Sequence, residues 1–288
     1  MNEETLNGAG GVSIFMRSWQ PAGDPRAIVA MVPGFNSHSG YFKWVGEQLT
    51  ANGLAAYAVD LRGRGKSEGE RFFIESFSEY LSDVDLMVQT AKSRHPGLPV
   101  FVLGHSAGGV ISCVYTLEHQ DELAGLICES FAFQVPAPDI ALTAFKGLSH
   151  IAPHAHIFKL KNEDFSRDPE VVQMMNTDPL IENETQPLQT VAEMVRADER
   201  IRREFPLITL PVFILHGTAD NATKFAGSQF FYDTAGSKDK TIGLYEGHYH
   251  DLLNDLGKEL VMRDIQDWLN ARLPARAEAT ATTSAGQG

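Results

Sequence analysis

The chain predicts an α/β fold with a mostly parallel central sheet, helices on both faces, and a helical insertion over one end. Three observations carry this. Short apolar runs alternate with helix-like segments along most of the 288 residues, the pattern of a parallel sheet covered on both sides. One of those runs ends in Gly104-His105-Ser106-Ala107-Gly108, a G-x-S-x-G elbow between a strand and a helix. From 131 to 206 the alternation stops, and prolines at 136, 138, 153, 169, 179 and 187 punctuate a stretch with no convincing strand.

The strand-like runs are "VSIFMRSW" (12–19), "RAIVAMV" (26–32), "LAAYAVD" (54–60), "PVFVLG" (99–104), "LAGLICES" (123–130), "PVFILHG" (211–217) and "KTIGLYEG" (240–247). Their β-branched and aromatic content suits strands buried on both faces. Among the intervening segments, "YFKWVGEQLTANG" places Phe42, Val45 and Leu49 on one stripe and stops at Gly53. "FSEYLSDVDLMVQTAKSRHPG" repeats Tyr80, Val84, Met87, Val88 and Ala91 at helical spacing before Pro96-Gly97. The expected organisation is a core of 1–130 and 207–273, a helical cap of 131–206, and a small, polar, disordered tail of 274–288. In the cap, "DIALTAFKGLSHIA" is apolar over too wide an arc for one buried side, so Leu142 and Phe145 are candidate substrate contacts. An ordinary helical subdomain is the alternative.

Composition bounds the partners. Hydrophobic residues make up 43% and charged residues 21%, values of a globular chain with a sizeable core. With 24 basic against 37 acidic side chains the net charge is −13, which repels phosphate backbones and argues against nucleic acid. The acidic, polar start has no signal-peptide pattern, and no apolar run is long enough to span a membrane. Cytoplasm is the expected compartment, with Cys113 and Cys128 as small core residues.

The elbow serine is either a helix cap in a glycine-rich turn or a nucleophile. As a nucleophile, Ser106 needs a base and a carboxylate, and in this architecture they follow in the order Ser, Asp/Glu, His after later strands. "PVFILHGTAD" ends in Asp220. "TIGLYEG" leads into "HYHDLLND", which offers His248 and His250. Asp220 and His250 stand 30 residues apart (250 − 220), room for one crossover helix and one strand. Glu129, at a strand end after the elbow helix, is an alternative acid.

Over about 14–273 the chain resembles the monoacylglycerol lipase and lysophospholipase branch of the α/β-hydrolase superfamily, which is grouped with serine aminopeptidase-like hydrolases. The resemblance is carried by "RGRGKSEGER" (62–71), "HPGLPVFVLGHSAGG" (95–109), "NTDPLI" (176–181), "LPVFILHGTAD" (210–220) and "KTIGLYEGHYHDLLND" (240–255). It implies that His250, in Gly247-His248-Tyr249-His250, is the base. It also implies an oxyanion hole from the backbone N–H groups of Ala107, after the nucleophile, and Phe35, in "PGFNSHSGYF". That loop departs from the family, with Pro33 for histidine, Asn36 for glycine, Ser37 for glutamate and Tyr41 for arginine. Arg64 likewise stands where histidine is common, and Ala107 where methionine is.

The implied activity is hydrolysis of a small, apolar or lipid-like carboxylic ester such as a monoacylglycerol, without metal or cofactor. The cap could touch micelles or membrane surfaces transiently. An amidase or peptidase on the same scaffold is the nearest alternative, and a receptor retaining the hydrolase shell a more distant one. Dehalogenase and epoxide-hydrolase chemistry is disfavoured, because on this fold both use an elbow aspartate. His150, His154 and His156 lack the spacing and partners of a metal site. Asp60 and Arg62 are expected to form a salt bridge that ties a strand end to the "RGRG" turn.

Overall fold

The computed structural model describes residues 1–135 and 139–273. The elements, in chain order, are β1 (Asn2–Asn7), β2 (Ser13–Trp19), β3 (Ile28–Val32), α1 (Lys43–Ala51), β4 (Ala55–Val59), α2 (Phe77–Arg94), β5 (Val100–His105), α3 (Ala107–His119) and β6 (Gly125–Glu129). Then come α4 (Asp139–Leu148), β7 (His156–Phe158), α5 (Pro169–Thr177), β8 (Gln186–Pro187) and α6 (Leu188–Glu204). The chain closes with β9 (Val212–Gly217), α7 (Phe225–Thr234), β10 (Lys240–Tyr245) and α8 (Lys258–Asn270). The tail 274–288 lies outside the described residues.

Eight strands form one sheet in the order β1-β2-β4-β3-β5-β6-β9-β10, antiparallel at β1/β2 and β2/β4 and parallel elsewhere. The chain runs from β3 outward to β4 and then returns across to β5. The crevice beyond the paired ends of β3 and β5, where Val32 lies opposite Gly104, is therefore the switch point at which ligands gather in open α/β sheets. One apolar cluster joins one face of the sheet to α2, α3 and α6, and a second joins the other face to α1 and α8. This two-sided burial explains why the central strands read as continuous apolar runs.

Three features differ from the sequence reading. The acidic start forms β1, an edge strand whose Glu3 and Glu4 pair with Arg17 and Arg94. The section 131–206 contains a small two-stranded sheet, β7 with β8, too short to leave an alternating pattern. Asp60 and Arg62 do not pair with each other. Asp60 accepts from the Ser39 and Lys66 amides, at 2.7 and 2.8 Å, while Arg62 turns to Asp83 and Glu79 on α2. Arg62 lies in the turn beyond β4, where strand alternation no longer sets its direction, so each found its partner across the fold.

Candidate active site

Ser106 sits between β5 and α3 at φ 55°, ψ −121°, a strained conformation for a residue with a Cβ. Its backbone is held on both sides: its amide donates to Glu129 O at 3.0 Å, and its carbonyl accepts from Gly109 and Ala132. The flanking glycines are steric necessities. A Cβ on Gly108 would come within 2.1 Å of Val32 O, and one on Gly104 within 2.4 Å of Gly108 O. α3 is thereby pressed against β3 and β5, with the serine raised at its N-terminus.

Asp220 lies in the turn after β9 and His250 in the loop after β10. The Ser106 hydroxyl donates to His250 Nε2 at 2.8 Å, and His250 Nδ1–H donates to Asp220 Oδ2 at 2.7 Å. Ser106 and His250 are both buried, and the Phe165 ring from the 131–206 section stands nearly perpendicular to the His250 ring, 5.0 Å between centroids. Asp220 has every acceptor position engaged. Oδ1 takes the amides of Ala222 and Thr223 at 2.7 and 2.9 Å, and Oδ2 takes the Thr223 hydroxyl at 2.8 Å. Burial by itself would raise its pKa, but His250 and His216 beside it hold the carboxyl far below the usual range. The carboxylate therefore stays charged where it can stabilise an imidazolium.

His216 and Arg64 have roles that the sequence did not reveal. His216 is fully buried on β9, with Nε2 3.1 Å from Asp220 Oδ2 and Nδ1 2.7 Å from Ser228 Oγ. A carboxylate only accepts, so a proton on Nε2 faces Asp220, and Nδ1 is hydrogen-bonded to the Ser228 hydroxyl. Asp220 is thus held between two imidazoles. The signal was the histidine in "HGTAD", which local context could not distinguish from a core residue. Arg64 lies 4.0 Å over the Phe35 ring, bonds Tyr80 at 3.1 Å and Gln186 at 2.8 Å, and pairs with Glu184. It links the Phe35 loop to the 131–206 section.

The amides of Phe35 and Ala107 have no acceptor among the described residues. They come from the loop after β3 and the first residue of α3, which the switch point brings side by side. Two such donors at a helix N-terminus suit a developing oxyanion. His248 stands apart from this relay, its Nδ1 4.0 Å from Asp255 and its ring against Tyr245. Glu129 is engaged elsewhere: Oε1 accepts from the Leu252 amide at 2.7 Å and Oε2 pairs with His105 Nδ1. Burial alone would lower the His105 pKa, but Glu129, with Asp251 nearby, raises it to about 9. This buried pair braces the elbow and the His250 loop from beneath.

Ser106, His250, Phe35 and Ala107 border an apolar pocket enclosing about 790 Å³ of empty space, part of it open to solvent. Phe145 of α4 lines it, as do Phe158 and Leu160, and α6 contributes Val191, Met194, Val195 and Asp198. The Leu142 side chain lies outside what the structure describes. His154 and His156 are separately engaged, with Glu70 and Thr185. Cys113 and Cys128 are free thiols 3.6 Å apart in the core.

Residues 23–257 match a family described as serine aminopeptidase, S33. The chain is 32% identical to the monoacylglycerol lipase of Mycolicibacterium smegmatis, over 94% of this chain and 98% of that protein. It is 32% identical to the monoglyceride lipase of Homo sapiens, over 96% and 92% respectively. Among solved structures, the monoacylglycerol lipase of Paleococcus ferrophilus superposes with a TM-score of 0.82 at 29% identity, covering 90% of this chain and 99% of that one.

Proposed function

The chain belongs to the serine aminopeptidase S33 family, and on that premise we propose that it is a serine ester hydrolase that cleaves monoacylglycerols through an acyl-enzyme. The observation that carries this is the continuous relay from Ser106 through His250 to Asp220 at the mouth of an apolar pocket. The lipase names of relatives that align over nearly the full chain support the same substrate class.

In the reaction, His250 Nε2 takes the Ser106 proton as Oγ attacks the ester carbonyl, and Asp220 stabilises the imidazolium. The Phe35 and Ala107 amides hold the oxyanion. Collapse of the tetrahedral intermediate breaks the bond to the alcohol, which leaves with the His250 proton. A water activated by the same imidazole then attacks the acyl-enzyme and restores the serine. The acyl chain lies against Phe145, Phe158, Leu160 and the α6 wall, and each buried methylene contributes at most about 0.8 kcal/mol.

On the alcohol side, the buried Asn36 follows the Phe35 amide and leaves its Oδ1 without a donor, which suits a hydroxyl-bearing alcohol. Tyr41, where the family resemblance leads one to expect arginine, gives its hydroxyl to Asp178 at 3.2 Å and is not free for the alcohol. Leu148, Ile151 and Phe158 of the 131–206 section are exposed, Ile151 at 81%, which supports transient contact of this cap with micelles. No helix among the described residues is long and apolar enough to cross a membrane.

The purified protein should release fatty acid from monoacylglycerols and hydrolyse p-nitrophenyl esters with efficiency that rises with chain length until the pocket is full. Faster cleavage of an aminoacyl arylamide than of every ester would overturn the reading in favour of a peptidase.

A further inference from the structure

The α6 wall of the pocket presents Val191, Met194, Val195 and Asp198, the i, i+3, i+4, i+7 face of a helix. On an acyl-binding wall the fourth position of such a stripe should be apolar, and here it is a carboxylic acid. Asp198 is half-buried as a residue, but its Oδ1 is sealed from solvent and has no hydrogen-bond partner. Arg196 and Arg200, the cations nearest in sequence, pair instead with Glu193 and with Glu118 and Glu204. Arg202, one turn further along α6, lays its guanidinium over the Phe133 and Phe230 rings, at 4.7 and 5.4 Å. The adjacent Glu199 pairs outward with Lys146. Leaving a buried carboxyl oxygen unpaired costs stability, and nothing in the relay around Ser106 uses this group.

We propose that Asp198 is a specificity residue that recognises an acyl chain bearing a hydroxyl group away from the ester. The inference rests on the ester-hydrolase reading and adds the class of acyl group. Burial pushes the Asp198 carboxyl well above the usual carboxylate range, against the opposing charge of Arg202, and so favours the neutral acid. A neutral acid in an apolar wall can both donate to and accept from a hydroxyl, without a charge being brought into the pocket. An unsubstituted chain would offer that carboxyl no partner, and a shorter chain would not reach it.

The test compares p-nitrophenyl acetate, p-nitrophenyl decanoate and a series of p-nitrophenyl hydroxydecanoates with the hydroxyl at successive positions. Wild type should favour one positional isomer over the others. Asp198→Leu should lower the kcat/KM ratio of that isomer to decanoate roughly tenfold, the worth of one buried hydrogen bond, and leave acetate hydrolysis unchanged. Asp198→Asn, which keeps a donor and an acceptor, should retain much of the preference. An unchanged ratio in Asp198→Leu with acetate hydrolysis intact would overturn the proposal alone. Equal loss on all three kinds of ester would overturn it in favour of a structural role. Wild-type inactivity on every p-nitrophenyl ester would remove the ester-hydrolase reading and this proposal with it.

Discussion

Two aspartates, one at the end of the sheet and one on the α6 wall, are treated in opposite ways by the fold. Asp220 is filled on both oxygens by two amides, a hydroxyl and two imidazoles, and is held as a charged carboxylate. Asp198, on the pocket wall, has an unpaired oxygen, and burial pushes its carboxyl toward the neutral form. The difference separates a group that must be fixed before substrate arrives from one whose partner the substrate can bring. Reaction machinery gains from preorganised, satisfied dipoles. A recognition wall gains from a valence left open. Substitutions on the sheet side should therefore affect every ester alike, whereas substitutions on the pocket wall should change which ester is preferred.

The comparison is tested most severely at the proposed nucleophile. Ser106→Ala should lower kcat on the order of 10⁶-fold for acetyl and long-chain esters equally, because the triad acts as a unit. A residual rate within tenfold of wild type would move the nucleophile to another serine.

His250→Ala should be about as damaging, while His248→Ala should stay within about tenfold of wild type. Only the His250 ring meets both Ser106 and Asp220. A reversed ranking in steady-state assays would displace the base by two residues.

His216→Gln asks whether saturation of Asp220 matters in itself. It should lower kcat roughly tenfold with little change in KM, in the range of one hydrogen bond to a charged group. The acid limb of the pH–rate profile should also move, since Asp220 would lose one of the two imidazoles that face it. A change confined to thermal stability would make His216 a packing residue only.

The smallest effect belongs to α4 of the 131–206 section. Phe145→Ser, alone or with Leu142→Ser, should flatten the rise of kcat/KM with acyl length by a few-fold while sparing p-nitrophenyl acetate. Equal loss on both substrates would show that α4 supports the relay and would erase the contrast between the two sides of the pocket.

Much of this arrangement was legible in the chain. The elbow glycines, the apolar runs and the positions of Asp220 and of the His248/His250 pair after later strands are local features, because strand burial and a forced turn leave marks on neighbouring residues, whereas the choice of His250 came from the family resemblance. β1 and the β7/β8 pair left no such mark, being an acidic edge strand and a very short one. The Asp60–Arg62 pairing failed because proximity in sequence says little about which way two side chains point at a strand end.

What the sequence by itself determined is the layered α/β class, the interruption at 131–206, and the residue types able to run acyl transfer. The tertiary structure alone decided how those residues are occupied. It set His216 against Asp220, turned Glu129 to His105 and the Leu252 amide, and laid Arg64 over Phe35. It also put α6, which carried no motif, on the pocket wall with Asp198 facing inward. The physical reason is that periodicity and steric strain act over a few residues and can be read locally. Hydrogen-bond partners and burial of a charged group depend on distant segments meeting in space, and no stretch of the chain encodes that meeting by itself.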